Sequence, residues 1–150
     1  MSMKSQQANM RRLAGLLSQD LGYIGGERES GPNGAKRTFL HVGSVFLRAL
    51  AADLGLHEVT VKTNAGGIAV SGECYLSGMW LNDGIHICLS QPVCCGTNVL
   101  LYRAIRNPRD YKGGYNRYLT LHDLQTLSYE ELLRVLLALK KDGSEYGQAA

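Results

Sequence analysis

The spacing of apolar residues changes once along this chain, and that change restricts the fold more than any other feature. Up to Leu54 they recur every three or four residues, the period of a helix. From His57 onward they alternate, the period of a strand. The first helical pattern covers about Gln6 to Leu21, with Met10, Leu13, Leu16, Leu17 and Leu21 on one face. The second covers Thr38 to Leu54, where Leu40, Phe46, Leu47, Leu50, Ala51 and Leu54 form a wide stripe and Gly55 supplies the stop. Between them, "YIGGERESGPNGAK" at residues 23–36 reads as a flexible glycine-rich loop.

The alternating part divides at turn signals. Val59 and Val61 belong to one strand, and "NAGG" separates it from a second in which Ile68, Val70, Cys74 and Leu76 share a face. "NDG" at Asn82 to Gly84 then joins "MWL" to "GIHICLSQ", where Ile85, Ile87 and Leu89 alternate with His86, Cys88 and Ser90. "NVLLYRAIR" from Asn98 to Arg106 is a further strand, and a shorter one follows at Arg117 to Leu121. Every turn is too short for a parallel crossover, so the order predicts an antiparallel meander. A C-terminal helix begins at the capping box Ser128–Glu131, buries Leu132, Leu133, Val135, Leu136 and Leu139, and stops at Gly143. The expected architecture is a single α+β domain over residues 1–150, with two N-terminal helices, a four- or five-stranded antiparallel meander sheet, and a C-terminal helix. Residues 143–150 are expected to fray. The helices should cover one face, leaving Tyr75, Trp80 and His86 on the other, where a homodimer could also form.

A chain of 150 residues buries roughly two-thirds of its unfolded surface, so this one needs no metal or disulfide staple. With 45% hydrophobic and 19% charged residues it falls outside the disordered class. No stretch approaches the roughly 20 apolar residues of a membrane span, and the N-terminus lacks a signal peptide's apolar core, which points to the cytoplasm. Cys74, Cys88, Cys94 and Cys95 are then expected to be reduced thiols. Adjacent Cys94 and Cys95 do not have zinc-knuckle spacing, and no cofactor fingerprint occurs. Glycine pairs in "NAGG" and "DYKGGYN" lack the following helix that would cradle a phosphate. No nucleophile elbow, Cys-His signature or HExxH is present, so an enzyme would have to use Glu73, His86 or a cysteine in a pocket formed by the fold.

The net charge of +3 does not itself mark a nucleic-acid binder, but the distribution is uneven. Arg103, Arg106, Arg109, Lys112 and Arg117 face only Asp110 in "YRAIRNPRDYKGGYNRY", which also carries Tyr102, Tyr111, Tyr115 and Tyr118. On a strand the arginines alternate between faces, whereas Asn107-Pro108 and Gly113-Gly114 would fold Arg109, Tyr111, Lys112 and Tyr115 into a projecting tip. Arginine forks to carboxylate or phosphate and tyrosine stacks or fills a pocket, so the pairing suits protein and nucleic-acid partners alike. The same residues would also keep a sheet edge soluble.

"GGIAVSGECYLSG" and "LLYRAIRNPRDYKGGYN" resemble small accessory proteins carried by plasmids, integrated elements and phages of proteobacteria. The resemblance covers about Leu47 to Asn116 and implies an intracellular protein of a mobile element that binds nucleic acid or blocks a host defence complex. The expectation is a non-catalytic binding protein. It would engage an acidic protein or nucleoprotein surface through Arg103, Arg106, Arg109, Tyr111, Lys112, Tyr115 and Arg117. A nucleic-acid-binding accessory protein and a small enzyme are the alternatives.

Overall fold

The computed structural model describes residues 2–19, 21, 34–66, 71–92, 96–107 and 114–141. Helices α1 (Met3–Leu17) and α2 (Ala35–Asp53) precede five strands: β1 (His57–Asn64), β2 (Glu73–Met79), β3 (Gly84–Ser90), β4 (Asn98–Ile105) and β5 (Arg117–Thr120). Two more helices follow, α3 (Leu121–Thr126) and α4 (Tyr129–Lys141). The strands pair in chain order, each antiparallel to the last, so the α+β meander is as expected and has five strands. Most of residues 23–36 and all of 143–150 lie outside the described residues.

Local chemistry sets the helix ends. α1 begins before Gln6 because the Ser2 hydroxyl accepts from the Ser5 amide, satisfying one of the free donors of a helix start. It ends at Leu17 rather than Leu21, and Gln91 closes the end, donating to Leu17 O and accepting from the Leu21 amide. α2 starts at Ala35, earlier than Thr38. The Ser128–Glu131 box forms as expected, with a reciprocal pair of 3.0 Å bonds. α3 was not expected. It is nucleated by a second box, in which Thr120 Oγ1 accepts from the Asp123 amide and the Asp123 carboxylate accepts from the Thr120 amide.

All four helices lie on one face of the sheet. That face carries Cys74 and Leu76 from β2, Ile85, Ile87 and Leu89 from β3, Leu100 and Ala104 from β4, and Leu119 from β5, all buried with Leu13, Phe46, Leu50, Leu132 and Leu136. Burial of that many large side chains, at about 1.5–3 kcal/mol each, is the main stabilising term. A polar network crosses the helix layer: buried Gln6 donates to Phe46 O and to the Tyr129 hydroxyl, which itself donates to Asp53 at 2.6 Å. Trp80 departs from expectation. The turn runs from Trp80 to Asp83, not from Asn82, so Trp80 leaves the strand and packs in the core, its Nε1 donating to Leu54 O.

Candidate functional site

Register decides which side chains meet on the second face of the sheet. The cross-strand pairs Ser77–His86 and His86–Arg103 place those three residues in one row. The next row is Lys62, Tyr75, Cys88, Leu101 and Tyr118. At one end of this face Met79 and Ile105 flank Gly84 and are buried, and a Cβ at Gly84 would collide with the Met79 sulfur.

The cationic residues sit around β4 and β5, on both faces. Arg103 projects from the second face and grips the segment leading into β5. Its Nη1 donates to Asn116 Oδ1 at 3.0 Å and its Nη2 to the Gly114 carbonyl at 2.7 Å. A planar guanidinium can hold two acceptors at fixed geometry, which a lysine could not do. Arg117, opposite Tyr102, faces the other way and lies 4.0 Å over the Tyr115 ring, with Nη2 donating to the Tyr115 hydroxyl. Stacking and hydrogen bond together hold an otherwise exposed tyrosine in one orientation, at about 0.5–1 kcal/mol for the cation–π part at such a site. Tyr115 and Tyr118 are 59% and 49% exposed, on opposite sides of the strand, and Arg106 is exposed just beyond β4. Arg109, Tyr111 and Lys112 lie outside the described residues.

The chain matches no family model, no curated protein and no solved structure. The residues must therefore speak for themselves.

Of the three groups named for catalysis, the fold brings Cys88 and Glu73 together and leaves His86 beside Ser77, and their chemistry opposes catalysis. The Cys88 thiol donates to Glu73 Oε2 at 3.6 Å, and its pKa is pushed up to about 12, first by burial and then by that carboxylate. A nucleophilic cysteine needs a cation beside it to stabilise the thiolate; an adjacent anion does the reverse. His86 has its pKa lowered by burial and by Arg103, so it is neutral at pH 7, with Nδ1 2.9 Å from Ser77 Oγ. Neither described cavity is lined by these residues. Cys74 is a core group: burial pushes its pKa up to about 12, and its sulfur fits against Gly43 of α2. Among the described residues no three His, Cys, Asp or Glu side chains group as metal ligands. Cys94 and Cys95 lie outside them. No described helix is long and apolar enough to cross a membrane.

Sequence reasoning missed the Ser77–His86–Arg103 row. Its signal was the hairpin: a four-residue turn at Trp80 to Asp83 places Ser77 opposite His86.

Proposed function

We propose that the protein is a non-catalytic intracellular binding module, an accessory protein of a mobile element, whose docking surface is the β4–β5 end of the sheet. Its partner is an acidic surface on a protein or nucleoprotein complex, and a host defence assembly is the setting that the sequence resemblance implies. The observation that carries this reading is the pinning of the region by its own arginines. Arg103 fixes Gly114 and Asn116, and Arg117 fixes Tyr115, so exposed Tyr115 is presented with little ordering left to occur on binding, and exposed Arg106 follows β4 in the same region. Pre-organised aromatic and arginine side chains are the residue types that dominate interface energies. A raised thiol pKa at Cys88 argues against the enzyme alternative.

The test is capture from bacterial lysate with and without nuclease, comparing the wild-type chain with Arg106→Glu combined with Tyr115→Ala. Capture lost in the variant, at unchanged melting temperature and with nuclease present, supports a protein partner. Capture that survives the substitutions refutes the surface. Capture abolished by nuclease alone, with affinity falling steeply as salt rises, assigns the partner as nucleic acid instead.

A further inference from the structure

A helix that faces water normally mixes charges of both signs, with acids in its first turn, where the helix dipole favours them. α4 obeys this, carrying Glu130 and Glu131 in its first turn and Lys140 in its last. α1 and α2 do the opposite. Together they hold six cations, Lys4, Arg11, Arg12, Lys36, Arg37 and Arg48, and a single acid, Asp53. Neither has an acid in its first turn, and Lys4, Lys36 and Arg37 occupy those turns instead, where the dipole works against them. Helix stability does not select that arrangement, so it needs a reason outside the fold.

Four of the cations also share a side. On α1 the apolar residues Met10, Leu13 and Leu17 are buried, and Lys4 and Arg12 lie exposed on the other face, about 12 Å apart along the axis. On α2, Arg37, His41 and Arg48 fall in one exposed stripe about 16 Å long. The helices pack antiparallel, with Gln6 donating to Phe46 O and Leu13 lying beside Gly43. Lys4 is therefore at the Arg48 end of the pair, and Arg12 is at the His41 end. Arg11 turns aside to donate to Leu124 O, while Arg48 bonds the neutral Ser44 hydroxyl of its own helix.

We infer that this outer face of α1 and α2 binds the phosphate backbone of a double-stranded nucleic acid, whatever its sequence, through Lys4, Arg12, Arg37 and Arg48. Charge complementarity calls for a polyanion, and the rest of the face narrows the choice. Of the exposed large apolar side chains among the described residues, only Met3 belongs to these helices. A membrane-binding helix puts its apolar face into lipid, whereas both apolar faces here are in the core. Single strands are held by aromatic side chains on which bases stack, and protein partners by buried aromatic anchors. Duplex phosphates need only cations, and contacts to them carry no sequence information. The face shares no residue with the β4–β5 surface.

Fluorescence anisotropy of the full chain with labelled duplexes of about 20 base pairs, roughly two helical turns, tests this, using DNA and RNA in two unrelated sequences each. The expected result is a micromolar Kd at about 50 mM salt, alike for both sequences, weakening about a hundredfold by about 200 mM, as about four phosphate contacts require. Arg12→Glu with Arg48→Glu should weaken binding about tenfold or more at unchanged melting temperature. Lys4→Glu with Arg37→Glu should weaken it as much while raising the melting temperature, since each puts an acid where the dipole favours one; unfolding then cannot explain the loss. Binding to either duplex that both pairs of substitutions weaken supports the assignment, and the two arms tell DNA from RNA. No binding to either duplex at low salt overturns it. So does binding that survives either pair, or that is removed instead by Arg106→Glu with Tyr115→Ala. Tighter binding to phosphatidylserine vesicles or to poly-L-glutamate than to duplex also overturns it, giving the face to a membrane or to an acidic protein.

Discussion

At Gly43 helix α2 packs directly against Cys74 of β2. A Cβ there would lie 2.5 Å from the Cys74 sulfur and 3.3 Å from the Cys74 Cβ. Alanine is the better helix former by about 1 kcal/mol, but overpacking a core costs about 1–3 kcal/mol, and the sulfur has little room to retreat. Gly43→Ala is therefore expected to lower stability in a denaturant melt. Adding Cys74→Ala should restore part of the loss, because it removes the atom the new methyl strikes, and a strictly additive pair would contradict the contact. Tyr129 offers a second check. Its hydroxyl serves both Gln6 and Asp53; Tyr129→Phe takes one of two acceptors from the buried Gln6 amide while water can solvate the exposed Asp53, so it should cost about 1 kcal/mol by the same assay.

Among the elements, the short helix α3 depends most on one residue. Its six residues cannot sustain a helix alone, and Thr120→Ala removes the hydroxyl that caps it. A loss of about 1 kcal/mol is expected, with faster amide exchange confined to the β5–α3 junction. The same helix shows how far the sequence could be read. Apolar period located α1, α2, α4 and all five strands, because burial on one face imposes that period on long elements. Six residues hold too little period to register, although the Thr120–Asp123 box was visible. Trp80 was placed beside Tyr75 and His86 although it shares the parity of Cys74 and Leu76, the buried set, and the structure puts it in the core with them. The candidate site was legible as a cluster of residue types around Arg103 to Tyr118. Which arginine grips the chain and which presents a tyrosine follows from register, and composition carries no register.

For the whole molecule, alkaline pH is the sensitive direction. The Cys74 and Cys88 thiols have pKa values raised from 9.0 to about 12 in the fold, and Tyr129 is also raised, by burial and by its bond to Asp53. Each folded group holds its proton more tightly than the unfolded chain does. Their contribution is complete below about pH 9 and declines as pH rises toward 12, since the unfolded state then binds fewer protons. Melting temperature is expected to fall over that window. Cys74→Ala should flatten the slope, and an unchanged slope would exclude the thiol as its source.

The bonds from Tyr129 also govern the order in which the molecule can be completed during synthesis. Gln6 and Gln7 of α1 take partners from Tyr129: its hydroxyl accepts from Gln6, and its amide donates to Gln7. Until Tyr129 is made, the buried Gln6 amide has the Phe46 carbonyl but lacks the Tyr129 hydroxyl, and a chain shortened to residue 128 should be cut by protease faster than the full chain. The packing of α1 is thus completed by α4, an element that follows it by more than a hundred residues.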